Sequence, residues 1–200
     1  MSAISGLSYL RQVDQTQMAA AKSVQKIASG SQYPSAADGA SAYSILVKMY
    51  SNIDTAAQSN SNTQTANAML STAAGGVSST VSALSSLQQQ LMGAANGTNS
   101  ESDIAAISKN VNQTIATVNE NASIQFNGKN LLDGSQNLTV AGDNGYTNVS
   151  LGNMTAQGLG LVDKNGKSTL DLSSKEGISN ALDTVNKALD SALNESTNIG

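Results

Sequence analysis

The stretch Leu70–Gly134 decides the fold, because it holds two helical segments, the turn A-A-N-G-T-N-S (94–100) and the segment I-Q-F-N-G-K-N-L-L-D-G (124–134). Apolar residues recur at three- and four-residue spacing in both segments, which predicts helices that each bury one face. In the first segment they are Leu70, Ala74, Val77, Val81, Leu84, Leu87, Leu91 and Ala95. In the second they are Ile104, Ile107, Val111, Ile115, Val118 and Ala122. The turn between them predicts an antiparallel helical hairpin.

The ends and interruptions of these helices are also readable. Ser100 or Ser102 can cap the second helix, and Asp103 places a negative charge in its first turn. The first helix extends back to about residue 40 and is interrupted by Gly75 and Gly76. Two glycines inside a helix cost about 1 kcal/mol each relative to alanine. They indicate either a kink or a close approach of another backbone.

The flanking segments complete a mainly α architecture. Residues 4–29 predict a helix with a narrow apolar face that ends at Gly30, and residues 30–41 predict a linker loop around the only proline. Period-two alternation at 137–151 predicts a β-hairpin. Ser173 or Ser174 begins a last helix, at about 174–198, whose apolar residues are Ile178, Leu182, Val185, Leu189 and Leu193.

The fold class expected from these segments is an elongated antiparallel helical bundle or coiled coil with a small β-hairpin region at about 124–162. We expect two domains. Residues 1–41 form an N-terminal helix with its linker loop, and residues 42–200 form a helical rod that includes the β-hairpin region and the last helix. With 3% aromatic residues, the chain is suited to long, thin helical layers rather than a large globular core.

The composition argues against catalysis and against most ligands. There is no cysteine and no histidine, and the fourteen acidic residues are scattered, so we predict no enzyme, no cofactor and no metal site. Asp133 and the segment Asp143-Asn144-Gly145 offer oxygen atoms of the kind calcium binds, but the spacing of a calcium loop is missing and a plain turn is the better interpretation. A net charge of −4 without a basic run argues against nucleic acid and anionic membranes as partners. No apolar run approaches the roughly 20 residues of a membrane span.

Three motifs in order resemble bacterial flagellin. They are S-G-S-Q-Y-P-S-A-A-D-G-A-S-A-Y-S-I (29–45), the turn A-A-N-G-T-N-S-E-S-D (94–103) and F-N-G-K-N-L-L-D-G (126–134). The similarity extends through Leu138-Thr-Val and Leu159-Gly-Leu to the last helix, and so covers nearly the whole chain.

The resemblance implies a structural protein, the repeating subunit of the flagellar filament that serves motility. Flagellins are exported unfolded through the flagellar type III channel and self-assemble outside the cell, so the implied location is the secreted, extracellular filament. The implied partners are other flagellin subunits and the export apparatus. In this family the N-terminal helix is a self-assembly element, which here carries Leu7, Leu10, Val13, Val24 and Ile27. A hook–filament junction protein and a secreted helical surface adhesin are the alternatives.

Two departures from the family pattern carry expectations of their own. The sequence ends at Ile199-Gly200, where flagellins normally continue into a terminal helix, and an outer variable domain is essentially absent. We therefore expect a fragment or a truncated paralogue, and we expect the 200-residue chain alone to remain monomeric or to aggregate weakly.

The second departure concerns the region that resembles the epitope of the flagellin-sensing Toll-like receptor. The residues in that region are Ser86, Leu87, Gln88, Gln89, Gln90, Leu91, Ala95, Asn96, Gly97 and Thr98. Ser86 and Gln88 stand where the family has arginine, Gln89 stands where it has glutamate and Gln90 where it has leucine. Because arginine would supply charge-assisted hydrogen bonds, we predict weak activation of the receptor.

Overall fold

A computed structural model describes residues 2–142 and 145–200 of the chain. The chain forms two compact units, Met1–Gln58 and Ser59–Gly200. Its main helices are α1 (Ser2–Ser29), α2 (Ala40–Ala94), α3 (Glu101–Ala122) and α4 (Lys175–Ile199). The mainly α fold class expected from the sequence is confirmed. The domain boundary after residue 41 stays a prediction.

The first unit is built from helical segments that bury little. Gly30 ends α1 with a φ of +61°, as expected for a glycine at a helix C-terminus, and its N–H donates to the carbonyl of Ile27. The segment predicted as a loop contains one short 3₁₀ helix, Ala36–Asp38, next to which the Ser35 hydroxyl donates to the Asp38 carboxylate at 2.9 Å. No side chain in the range 6–58 is buried.

The second unit holds the hydrophobic core. The C-terminal half of α2, α3 and α4 each contribute one buried face. Gly76 of α2 lies beside Asn121 and Ile124, whereas Gln90 bonds to Thr114. The residue nearer the start of α2 thus contacts the residue nearer the end of α3. The two helices therefore run antiparallel, as predicted.

The buried face of α2 differs in register from the predicted stripe at both ends. Val77, Leu84, Leu87 and Leu91 are buried as expected, but Leu70, Ala74 and Val81 are only partly buried and Ala95 is exposed. The buried face of α2 also includes small and polar residues that hydrophobic spacing does not predict. Its buried members are Ala66, Met69, Ala73, Gly76, Val77, Thr80, Leu84, Leu87, Leu91 and Ala94.

The buried face of α4 includes Ile178 and Val185 as predicted, but three alanines take the place of the predicted leucines. Leu193 is 47% exposed, and Leu182 and Leu189 are only partly buried. The residues that are buried are Gly177, Ile178, Ala181, Val185, Ala188, Ala192 and Glu195. Small side chains let α4 lie close to the other helices, so the leucines end up at the edges of the seam. Ser174, one of the two candidates, is the N-cap, and its hydroxyl accepts from the Gly177 amide at 3.0 Å.

The two central glycines of α2 have different roles. A Cβ added to Gly76 would lie 2.8 Å from the Leu132 Cδ1 atom and 3.3 Å from the Asn121 carbonyl, whereas one added to Gly75 would meet nothing within 4 Å. α2 continues through both positions as one helix. Close packing at Gly76 is therefore the explanation that the structure supports, out of the two that the sequence left open.

Two short hairpins lie between α3 and α4. β1 (Gln125–Phe126) pairs antiparallel with β2 (Lys129–Asn130), and β3 (Asn137–Gly142) pairs antiparallel with β4 (Gly145–Ser150). The predicted turn residues Asp143 and Asn144 lie outside the described residues. The loops around the hairpins complete the core with the buried residues Leu131, Leu132, Leu151, Met154, Ala156, Leu159, Leu161, Leu170 and Leu172.

Candidate interaction surfaces

The α1 apolar face consists of the five residues predicted for self-assembly. They are Leu7 (56% exposed), Leu10 (64%), Val13 (47%), Val24 (64%) and Ile27 (81%). Their spacing places them along one side of a 28-residue helix. Contiguous apolar surface of this kind usually marks an interaction site.

A second set of exposed apolar residues lies on the first turns of α2. Ile45, Val47, Met49, Tyr50 and Ile53 are each between 47% and 59% exposed. Ile45, Met49 and Ile53 have helical spacing like that of the stripe that begins at Leu70, but they are exposed. The signal that separates them from it is the polar run between Gln58 and Thr65, where the apolar spacing stops.

The candidate receptor region contains both buried and accessible residues. Leu87 and Leu91 are completely buried, so their side chains hold the core and do not reach a partner of the folded chain. Ser86, Gln89, Ala95, Asn96, Gly97 and Thr98 are exposed, and Gln88 and Gln90 are partly buried. The accessible part of the region is therefore one edge of α2 together with the turn that follows.

The glutamines of this region bond to neighbouring helices. The Gln88 side-chain amide donates to the Asn186 side-chain oxygen of α4 at 2.7 Å, and the Gln90 amide donates to the Thr114 hydroxyl of α3 at 3.1 Å. The Gln90 Oε1 atom is buried without a hydrogen-bond partner. A buried acceptor without a partner destabilises a fold, as expected at a position where the family has an apolar leucine.

The turn after α2 is organised by side chains that bond to its backbone. Asn96 Oδ1 accepts from the Thr98 amide at 3.3 Å, and the Asn99 side-chain amide donates to the carbonyls of Gly93 and Ala94 at 2.7 and 3.2 Å. These bonds satisfy carbonyls at the end of α2 that have no partner within the helix. The tip of the hairpin is therefore ordered while its side chains stay exposed.

Ser100, the first of the two predicted caps, begins α3. Its hydroxyl accepts from the Asp103 amide, and the Asp103 carboxylate accepts from the Ser100 amide at 2.9 Å, which is a complete capping box. The hydrogen bond from the Ser100 hydroxyl, followed by the one from its backbone amide, holds the pKa of Asp103 below its ordinary value.

Potential metal-ligating side chains do not cluster in the parts of the chain that the structure describes. Residues 2–142 and 145–200 contain no group of three or more metal-ligating side chains. The Asp133 carboxylate accepts from the amide and hydroxyl of Ser135, which lowers its pKa and occupies one of its oxygens. Of the other residues weighed as calcium ligands, Asp143 and Asn144 lie outside the described range. Among the described helices, none is long and apolar enough to cross a membrane.

Helices that expose apolar faces are typical of structural proteins that self-assemble. The family model for the bacterial flagellin N-terminal helical region matches residues 2–137. The chain therefore belongs to the bacterial flagellin family. It is a structural subunit of the flagellar filament and not an enzyme.

The relatives are flagellar filament proteins. Flagellin FlaB2 of Treponema pallidum (strain Nichols) is 28% identical over 194 residues, which cover 90% of this chain and 68% of that protein. The flagellar filament 30.7 kDa core protein of Treponema maltophilum is 30% identical over 191 residues, which cover 88% of this chain and 67% of that protein. The chain thus spans about two thirds of the length of these relatives.

Solved structures share the fold. Bacillus cereus flagellin matches with a TM-score of 0.59 and 19% identity, covering 69% of this chain and 80% of that one. A flagellar hook-associated protein from Vibrio parahaemolyticus matches with a TM-score of 0.67 and 17% identity, covering 83% and 88%. At these identities the likeness shows the architecture alone.

Proposed function

We propose that this chain polymerises with other flagellin subunits by burying the α1 apolar face against a helix of the assembly. The observation that carries the proposal is the exposure of all five residues of that face. Burying each of these side chains on assembly stabilises the product by roughly 1–2 kcal/mol. Five of them provide a driving force of the size that offsets the loss of translational and rotational freedom on association.

Co-assembly in a motile bacterium tests the proposal. A tagged copy of the chain is expressed beside the resident flagellin, filaments are sheared from the cells, and the tag is measured in the filament fraction. The double variant Leu10→Lys/Val24→Lys should abolish incorporation, because two charges on the buried face would lose their hydration. The matched control Gln12→Lys/Gln15→Lys adds the same charge at exposed positions on the other side of α1 and should incorporate normally. Equal incorporation of the two double variants would contradict the proposal.

Export through the flagellar channel and an extracellular location belong to the same proposal. A chain without cysteine has no disulfide to form or break during passage in an unfolded state. Deleting the export gate of the flagellum in the same bacterium should retain the tagged chain inside the cells. Its continued appearance in the medium would favour another secretion route, as the surface-adhesin alternative requires.

The hook–filament junction alternative rests on a shared architecture. The hook-associated protein has the larger TM-score of the two solved structures, but its 17% identity supports the fold only. The matched family model and the filament relatives favour the filament subunit. Immunogold labelling would separate the two: label along the filament supports a filament subunit, and label confined to its base supports a junction protein.

Weak activation of the flagellin-sensing Toll-like receptor is a further part of the proposal. The exposed edge at Ser86 and Gln89 offers no charge, and Gln88 and Gln90 are bonded within the bundle. In a reporter-cell assay, the variant Ser86→Arg/Gln88→Arg/Gln89→Glu should be more potent than the unmodified chain. An unmodified chain as potent as an arginine-bearing flagellin would contradict the proposal.

A further inference from the structure

Four Asn-Gly pairs occur in the sequence, at Asn96, Asn127, Asn144 and Asn165. Glycine has no side chain, so its backbone nitrogen can approach the carbonyl carbon of the preceding asparagine side chain. After that nitrogen loses its proton to water, it attacks Cγ and forms a C–N bond, while the bond from Cγ to the side-chain nitrogen breaks. The nitrogen leaves as ammonia after taking up a proton, and water opens the cyclic imide to aspartate or isoaspartate. Water is the only co-reactant.

The fold keeps Asn127 out of this reaction. Asn127 has a φ of +50° and Gly128 a φ of +76°, in the two-residue turn between Phe126 and Lys129. Two positive φ values in a two-residue hairpin loop define a type I′ turn, in which the first residue is left-handed with ψ near +47°. In that conformation the Gly128 nitrogen is anti to the Cβ of Asn127, so the nitrogen and Cγ lie at their greatest separation.

Asn165 is restrained by hydrogen bonds. The Gly166 nitrogen, which would be the nucleophile, donates to the Asp163 carbonyl at 3.0 Å. The Asn165 and Lys167 amides both donate to the Asp163 carboxylate at 2.8 Å. The hydrogen bonds to Lys167 and Asn165 also lower the pKa of Asp163, so its carboxylate stays charged and keeps accepting them. Reaction at Asn165 therefore requires this loop to open first.

Asn96 differs from Asn165 in the nucleophile. The Asn96 amide donates to the Gly93 carbonyl and the Asn96 carbonyl accepts from the Asn99 amide, both at 3.2 Å, but among the described residues the Gly97 amide has no hydrogen-bond acceptor. The Asn96 Oδ1 atom accepts from the Thr98 amide, which folds the side chain back over the Gly97 peptide and polarises the carbonyl that would be attacked. Open space and exposure do not separate the sites, because a Cβ on Gly97, Gly128 or Gly166 would meet no atom within 4 Å and all three pairs are exposed.

We infer that Asn96–Gly97 is a self-modifying bond, and that the fold directs spontaneous deamidation to it rather than to Asn127 or Asn165. An aspartate at 96 can still accept from the Thr98 amide. Its charge would lie two residues after the C-terminus of α2, whose dipole disfavours an anion, and four residues before the N-cap of α3, whose dipole favours one. The exposed turn of the candidate receptor region would gain a negative charge without a change in the gene.

The test is ageing of the purified folded chain in mildly alkaline buffer made with ¹⁸O water, followed by proteolysis and mass spectrometry. Label should accumulate at residue 96 about tenfold faster than at 127 or 165, the factor that one hydrogen bond lost before reaction represents. In guanidinium, where the turns are gone, the three rates should converge. Gly97→Ala, which has room in the structure, should reduce the rate at 96 to that of the protected sites.

Equal rates at the three sites in the folded chain would overturn the inference, as would faster reaction at 127 or 165. A preference for residue 96 that survives in guanidinium would also overturn it, because local sequence and not the fold would then be the cause. Filament assembly is not measured in this experiment, so its result is independent of the function proposed above.

Discussion

Two helical regions of this protein carry similar apolar spacing and have opposite surroundings. In the C-terminal half of α2, the residues Val77, Leu84, Leu87 and Leu91 are completely buried, whereas along α1 the comparable Leu7, Leu10, Val24 and Ile27 are more than half exposed. The hydrophobic effect stabilises the first region within the monomer. Along α1 the apolar side chains are still exposed to water, so the hydrophobic effect can stabilise association with another molecule. The comparison teaches that helical periodicity predicts a face to be buried, but not which molecule buries it.

The largest difference between the two regions should appear when a leucine is truncated in each. Leu84→Ala removes a side chain with no exposed surface and should lower the free energy of unfolding by about 3 kcal/mol. Leu10→Ala should change it by less than about 0.5 kcal/mol, because Leu10 is already in water. Urea denaturation followed by circular dichroism gives both values. A comparable loss for Leu10→Ala would mean that the α1 apolar face is already buried in solution.

A smaller effect separates the two adjacent glycines of α2. Gly76→Ala should destabilise the protein by about 1–3 kcal/mol, because its new methyl group would overlap the Leu132 side chain. Gly75→Ala faces open space and should stabilise the helix by up to about 1 kcal/mol. Thermal melting of the two single variants distinguishes close packing from a kink. If both variants were stabilising, the packing explanation of Gly76 would be wrong.

The start of α3 tests how far local signals support the core. Ser100→Ala removes the hydroxyl of the capping box and should cost about 1 kcal/mol. Ser174→Ala at the start of α4 removes a single cap bond and should cost less than Ser100→Ala. Both changes in the free energy of unfolding can be calculated from urea midpoints, provided that the slope of the free energy against urea concentration stays constant. The reverse order would show that the bond which the Ser100 hydroxyl donates to the Asp103 carboxylate at 2.6 Å contributes nothing.

The smallest expected effect is a loss of folding stability at low pH, which arises from carboxylates of the second unit. Hydrogen bonds lower the pKa of Asp103, Asp133, Asp163 and Asp171 in the folded state, with Ser100, Ser135, Lys167 and Ser173 as the principal donors. A lowered folded pKa stabilises the fold above the unfolded pKa, and this contribution is lost as the pH falls through the folded values. Stability should therefore decline below about pH 4. Asp103 and Asp171 are exposed and the other two carboxylates are only partly buried, so the decline should be shallow. Its absence in urea titrations would contradict the assignment.

Much of the fold could be predicted from the sequence because the signals are local. The bounds of α1, α3 and α4 and the two strands of the β3–β4 hairpin follow from spacing and alternation. Capping residues left two candidates for the start of α3 and two for the start of α4, and the structure selects Ser100 and Ser174. The family resemblance rested on motifs in these same segments, and the matched family model confirms it.

It was harder to predict which residues of each helix are buried. Ala188 and Ala192 are buried while Leu193 is 47% exposed, and Thr80 and Glu195 are buried among apolar residues. A hydropathy pattern ranks leucine above alanine and excludes glutamate. In the structure, however, the Glu195 carboxylate accepts from the Gly152 amide at 2.8 Å, a contact between residues far apart in the chain. Such pairs depend on how two segments meet, and spacing within one segment does not contain that information.

In the candidate receptor region, too, the sequence and the structure supply different information. Its ten residues are a prediction from the family resemblance, and only the structure separates the buried Leu87 and Leu91 from the exposed turn. It also shows that Gln88 and Gln90 are held by α4 and α3.

The sequence by itself determined that this protein is mainly helical, because local spacing specifies helices, and three of its motifs resembled flagellin, the family that the matched family model shows. Only the tertiary structure decided which apolar faces form the core and which remain open, and why Gly76 is a glycine. The physical reason is that burial and close approach are properties of pairs of segments. The sequence specifies the side chains of each segment, and the fold determines which other residues they contact.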